Sequence, residues 1–244
     1  MSAPVTEIVL TDEVLTAFPE TQLRLVVADG LRGDPEWAHV GAAIQSLESR
    51  LAGQQWRPVD EEDPEIASWH AAYRRFGTNP RRMRPSVDAL CRRLARTGRL
   101  PRVAPPVDAY NLVSVRYGIP AGAFDLHRLD GPVHIRRSRP GDRFTPLGEP
   151  GTVEEPAPHE VVYACGERVL TRCWNHRDCD STKLTDETTA AVFVLERVSA
   201  TAVSDDRMQQ AQQALAGLVT PHAGLVSFAT IDATRPTVRL APVP

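Results

Sequence analysis

The apolar positions fall into two periods, and the switch between them divides the chain. Near the start, "TEIVL" alternates briefly and "QLRLVVADG" is a longer apolar run closed by a glycine, predicting strand, short helix, strand over the first 30 residues. From Asp34 on, Trp37, Val40, Ile44, Leu47 and Leu51 recur at spacings of three and four, the stripe of an amphipathic helix that "DPE" is expected to open. A second helix is predicted at "DPEIASWHAAYRRFG", burying Ile66, Trp69, Tyr73 and Phe76. A third follows at "RPSVDALCRRLARTG", burying Val87, Leu90, Cys91 and Leu94. "PPVDAYNLVSVRYGIP" reads as a fourth helix, with strand as the alternative because of its β-branched content.

After Gly118 the period becomes two. "AFDLHRL" and "VHIRRS" alternate around a "DG" turn, and "EVVYA" and "VLTRCW" around "CGE", each pair reading as two strands joined by a turn. "AAVFVLERV" suits a central strand, "DDRMQQAQQALAGLV" a closing helix and "AGLVSFATI" a final strand. Without the strict alternation of a doubly wound sheet, the expectation is an α+β fold, a mixed sheet with helices packed on it. Residues 1–244 are expected to form a single domain with its core at about 20–230. The proline- and glycine-rich "LGEPGTVEEPAPHE" suggests a subdomain junction near 147–160.

Composition narrows the function classes. At 42% hydrophobic and 24% charged, the chain is that of an ordinary soluble protein, and its net charge of −3 gives no global basic field for nucleic acid. Four cysteines are too few for a disulfide framework, no secretory signal opens the chain, and no apolar run reaches membrane-span length. A cytoplasmic protein is expected. P-loop, GxGxxG and GxSxG patterns are missing, so nucleotide and hydrolase-elbow readings have no support.

Two stretches concentrate candidate chemistry. "FGTNPRRMRPS" follows a helix with an Asn-Pro turn and several arginines before the next helix. Arg75, Asn79, Arg81, Arg84 and Ser86 there have the make-up of an anion site, against the alternative of a solvated or acid-paired charge run. "WNHRDCDSTKLTDETT", residues 174–189, crowds a strand's end with polar groups. Arg172 and Trp174 are expected on one strand face, Trp174 as a stacking platform. Asn175, Arg177, Asp178 and Lys183 are candidate catalytic groups, and Asp180 and Thr182 candidate binding groups. The alternative is a polar loop of turn and cap residues. Cys173, His176 and Cys179 have the spacing C-x2-H-x2-C, but no second ligand pair accompanies them, so neither a metal nor any other cofactor is expected. Asn111 forms a polar stripe with Ser114 on an apolar helix, and Asp125 interrupts an apolar run; both are further candidates for a pocket. Asn79, Arg81, Asn111, Asp125, Trp174, Asn175, Arg177 and Lys183 are expected to meet in one cleft.

In order, "RRFGTNPRRMRPSVDAL", "DAYNLVSVRYGIPAGAFDLHRL" and "EVVYACGERVLTRCWNHRDCDSTKLTDETTAAVFVLE" resemble the stand-alone B3/B4 domain proteins, which look like the editing and tRNA-binding region of the phenylalanyl-tRNA synthetase beta subunit. The resemblance spans roughly residues 20–230 and rests on the "WN-x-RD-x-D-x-TK-x-T" and "NP-x-R" motifs. It implies an α+β fold and hydrolysis of the ester of mischarged tRNA in trans. The aminoacylated CCA end of tRNA is then the partner, and neither DNA nor a membrane. The synthetase's editing residues do not carry across one by one, and a tRNA body has no evident holder. The alternative is a non-catalytic module binding an amino acid, a small metabolite or tRNA.

Overall fold

Two sheets carry the chain. The structure is a computed structural model that describes residues 6–240. In chain order its elements are β1 (Thr6–Leu10), α1 (Asp12–Ala17), β2 (Gln22–Asp29), α2 (Ala38–Ala52), α3 (Pro64–Arg75), α4 (Ser86–Thr97), α5 (Pro105–Tyr117), β3 (Ala121–Asp125), β4 (Val133–Arg137), β5 (Arg143–Phe144), β6 (Val161–Cys165), β7 (Arg168–Arg172), β8 (Arg177–Asp178), β9 (Ala190–Arg197), α6 (Asp205–Val219), β10 (Leu225–Ile231) and β11 (Thr237–Leu240). One sheet runs β11-β1-β4-β6-β7-β5 with β8 paired on β7; the other runs β10-β2-β9-β3. The fold is α+β as expected, with its mixed strands divided between two sheets.

β9 is the hinge of the packing. All eight of its residues are buried, and it lies antiparallel between β2 and β3. Because strand side chains alternate, Ala191, Phe193 and Leu195 face the helices, beside Ile44, Val113 and Leu215. Val192 and Val194 face the other sheet, beside Ile135, Tyr163 and Leu170. The cores on the two sides of β9 are therefore a helix layer and an inter-sheet layer.

Most helices begin and end where their sequences say. α3 has Pro64 in its first turn, and α4 and α5 stop at Gly98 and Gly118, both left-handed at φ 67°. The segment 105–117 is thus helix and not strand. α2 departs from expectation, since it starts at Ala38 with Trp37 as its cap. Asp34 is drawn away from the helix, accepting a hydrogen bond from His222 Nδ1 at 2.8 Å.

The "DG" turn is not a hairpin. β3 pairs with β9 in one sheet, whereas β4 pairs with β1 and β6 in the other. Asp125 ends β3 by accepting from the His127 amide at 2.9 Å, capping a single 3-10 turn at Leu126–Arg128 that carries the chain across. β6 and β7 do form the expected hairpin across Gly166 and Glu167, with Cys165 opposite Arg168. The segment 147–160 runs between β5 and β6, and Glu154 bridges back to Phe144. Among the described residues no helix is long and apolar enough to cross a membrane.

Candidate active site

β7 ends at Arg172, and the next two residues reverse the chain. Cys173 and Trp174 both hold positive φ, 46° and 67°, a rare conformation for bulky residues and one that breaks strand alternation. Trp174 is consequently not on a common strand face with Arg172. It is fully buried, edge-on to Phe18 at 5.0 Å and to Trp69 at 5.2 Å between centroids. It has no free face on which a base could stack, which corrects the expectation of a platform. What the turn achieves is to send Asn175 inward and Asp178 back to β7, where it pairs with Thr171.

Between the sheets this leaves a cavity of about 60 Å³, space for a few waters or a small charged group. Its walls come from β3 and β9 on one side, from β6 and β7 on the other, and from Ser86 and the 174–178 turn. Asn175 joins the walls into one network. Tyr73 OH donates to Asn175 Oδ1 at 2.8 Å, and Asn175 Nδ2 donates to Glu196 Oε2 at 2.8 Å. Tyr163 OH donates to Glu196 Oε1. The Trp174 indole N–H lies near the same carboxyl without completing a hydrogen bond. Asp178 accepts from Thr171 Oγ1 at 2.8 Å, and its other oxygen faces Gly122, whose missing side chain keeps the space open.

Of the residues singled out in the sequence, Ser86, Trp174, Asn175, Arg177 and Asp178 line this cavity. His176 lines it too, but Asn79, Arg81, Asn111, Asp125 and Lys183 do not, so the residues expected to meet in one cleft are not all brought together. Arg75 lies over the Phe18 ring at 5.4 Å, Asn79 Oδ1 accepts from the Arg81 amide, and Arg81 itself is exposed, 3.5 Å from Glu61. Arg84 reaches the buried Asp88 at 2.9 Å. Asn111 is half-buried on α5. Asp125 is buried, accepting from Thr188 Oγ1 at 2.7 Å and from the amide of His127. Arg172 is clamped by Glu160 at 3.1 Å and Glu154 at 2.5 Å. Lys183 pairs with Asp180 at 2.8 Å, and the Thr182 carbonyl accepts from the Asp125 amide.

Cys173, His176 and Cys179 each turn to a different neighbour. The Cys173 thiol lies against Glu160 and is pushed up to about 12 by burial. His176 Nδ1 meets the Arg84 carbonyl at 2.7 Å, and Cys179 Sγ meets the Ser181 and Thr182 hydroxyls. Among the described residues no three His, Cys, Asp or Glu side chains gather as a metal-binding group.

The B3/4 domain family model matches residues 68–216, more than half of the chain. The chain belongs to the B3/4 domain family. A stretch of 50 residues is 48% identical to the phenylalanine--tRNA ligase beta subunit of Methylococcus capsulatus, covering 20% of this chain and 6% of that subunit. Among solved structures, an N-terminal fragment of the phenylalanyl-tRNA synthetase beta subunit from Pyrococcus horikoshii aligns with 95% of this chain at 11% identity and a TM-score of 0.47. The chain spans 53% of that fragment.

Every residue lining the cavity lies inside the part matched by the B3/4 family. Its electrostatics are those of two acids, Glu196 buried and Asp178 half-buried. Burial raises Glu196 to about 7, with the nearby Asp178 adding to the rise and the Tyr163 and Asn175 hydrogen bonds opposing it. Burial likewise raises Asp178 to about 6, against the Thr171 hydrogen bond. Burial also holds Tyr73 and Tyr163 well above the ordinary phenol value, so both remain donors. No cation figures among the groups acting on either carboxyl. Near neutral pH Asp178 is mainly ionised and Glu196 is close to half protonated, so this cavity of the B3/4 domain can receive a proton or bind an ammonium group.

Glu196, Tyr163, Tyr73 and Thr171 were not singled out from the sequence. Glu196 had one legible signal: it follows Val192 and Val194 at the strand's two-residue period, a carboxylate on a face otherwise apolar.

Proposed function

We propose that this B3/4 domain hydrolyses the aminoacyl ester of mischarged tRNA in trans, with the inter-sheet cavity as its centre. The observation that carries the reading is Asp178: a half-buried carboxylate with one side-chain hydrogen-bond partner, no ion pair, a pKa near 6 and open space above Gly122. Such a group suits a general base at neutral pH. It takes a proton from a water as that water attacks the ester carbonyl. The ester C–O bond then breaks, and the ribose oxygen leaves with the proton that Asp178 returns to it. An aminoacyl ester is intrinsically labile, so positioning and charge stabilisation suffice and the reading calls on no cofactor. The α-ammonium of the aminoacyl group matches a cavity with two acids, and Arg177, at the wall and paired with Glu149, is placed to meet developing negative charge.

The likeness to part of a phenylalanine--tRNA ligase subunit supports tRNA as the partner. Asn175 serves by orientation, since its amide is committed to Tyr73 and Glu196. Lys183, named with it from the sequence, is engaged by Asp180 and acts at most at the rim.

A second reading has an observation of its own. Arg84, Arg172, Arg177 and Lys183 are all paired with carboxylates, which favours a binder of an amino acid or small amine that makes no demand on phosphate contacts. The test is deacylation by the purified chain of a panel of mischarged tRNAs, with free aminoacyl esters in parallel. Turnover of at least one ester supports hydrolysis. Saturable binding of free amino acids with no turnover supports the binding module.

A further inference from the structure

Residues 74–102 hold ten arginines and a single acidic residue, Asp88, in a chain whose net charge is −3. That acid is spent internally. Asp88 is fully buried and faces His70 at 2.9 Å, Arg84 at 2.9 Å and Arg92 at 4.0 Å, so it neutralises the base of α4 and not its surface. Arg74, Arg82, Arg93 and Arg96 are exposed and make no ion pair among the described residues. Five arginines, Arg57, Arg84, Arg92, Arg93 and Arg96, line one open groove between α4 and the 57–60 segment. Asp60 also lines the groove, but it and Asp63 are engaged by Arg57, so the α4 side, with Arg93 and Arg96 unpaired among the described residues, keeps a net positive charge that a polyanion relieves.

The groove also adjoins the cavity in the chain. Arg84 lines the groove, and Ser86, two residues on, lines the cavity. The two are tied by the Ser86 amide donating to the Asn175 carbonyl at 2.9 Å, and by His176 Nδ1 at the Arg84 carbonyl. A ligand held along α4 therefore has the inter-sheet cavity next to it.

We infer that the exposed face of α4 docks the sugar–phosphate backbone of an RNA body, while the RNA's aminoacylated end reaches the cavity. The choice of RNA rests on the hydrolase reading above; the polyanion chemistry rests on the arginines alone. Guanidinium forks bind phosphate oxygens bidentately, and backbone contacts of this kind position a nucleic acid without reading its sequence. The slightly acidic remainder of the chain repels the same polyanion, which confines docking to this face.

The probe is bulk uncharged tRNA, titrated against the full chain by fluorescence anisotropy at several salt concentrations. Affinity of the unaltered chain is expected to fall roughly tenfold to a hundredfold between 50 and 200 mM salt. Arg93→Glu with Arg96→Glu should weaken binding by about tenfold or more. Arg93→Gln with Arg96→Gln should lower the slope of log affinity against log salt by about two, with thermal melting unchanged. The inference is overturned if the unaltered chain does not bind tRNA, or if both paired variants bind as it does. The two proposals fail separately. Binding through α4 with no hydrolysis of any aminoacyl ester refutes the hydrolase and leaves the docking face standing. Hydrolysis of aminoacyl-tRNA that both paired variants leave unchanged refutes the docking face and leaves the hydrolase standing.

Discussion

Replacing Glu196 by glutamine should make the protein more stable at alkaline pH and leave it nearly unchanged in acid. The two oxygens of Glu196 accept from Tyr163 and Asn175 inside a fully buried network. Glutamine has the same shape, and its NH₂ can be satisfied if the Asn175 amide turns over, because Tyr73 OH can accept where it now donates. What the substitution removes is charge. The folded protein raises this carboxyl from 4.5 to about 7, chiefly by burial, so protons favour the folded state. Stability linked to Glu196 is full below about pH 4.5 and is lost as pH rises through 7. At about 1.4 kcal/mol per pKa unit, the loss is about 3 kcal/mol once the group is ionised. Urea unfolding of both proteins from pH 4.5 to 8.5 measures it. The midpoints should coincide near pH 4.5 and diverge by about 1 M urea or more at pH 8.5, with Glu196→Gln the more stable. Asp178 titrates in both proteins, so the difference between the curves reports Glu196 together with its coupling to Asp178. Parallel curves would show that Glu196 is ionised throughout, and the account of the cavity as a site of shared protons would fall.

Other consequences can be checked directly. Arg172→Ala should cost about 3–5 kcal/mol of stability, because it strips the buried Glu160 of its partner, whereas Arg177→Ala, from an exposed pair with Glu149, should stay within about 0.5 kcal/mol; chemical denaturation reads both. Gly122→Val should fold, since valine suits the edge strand β3, yet fill the space facing Asp178 and lower ester hydrolysis by about tenfold or more in a single-turnover assay. With Asp178 near 6 as the base, hydrolysis should climb with pH up to about 6 and level off above; a rate independent of pH between 5 and 8 would remove it from that role.

The helices were legible because their signals are local. Pro64 opens α3, and Gly98 and Gly118 close α4 and α5 in the left-handed conformation that glycine permits. The strands' partners were less so, since pairing is a non-local choice. "DG" between two alternating stretches looks like a hairpin, but Asp125 caps a 3-10 turn and the chain changes sheet. The site divides in the same way. Asp178, Asn175 and Ser86 could be picked out by polarity, and so could Arg172 and Lys183, which ion pairing to Glu160 and Asp180 holds away from the cavity. Polarity marks a residue that needs a partner and does not say whether that partner is another side chain. Glu196 was hidden by β9, whose two faces are both buried, so that "AAVFVLER" reads as one apolar run. The inward turn of Trp174 depends on positive φ at two non-glycine residues, for which the sequence gives no cue.

The central claim is that Asp178 in the inter-sheet cavity activates water on an aminoacyl ester. Single-turnover deacylation by Asp178→Asn, on whichever mischarged tRNA the unaltered chain hydrolyses fastest, tests it most directly. Asparagine keeps the size and can still accept from Thr171, but it cannot take a proton. The rate should fall by about 10²–10⁴-fold while tRNA affinity stays unchanged. A variant that deacylates at the unaltered rate would contradict the claim.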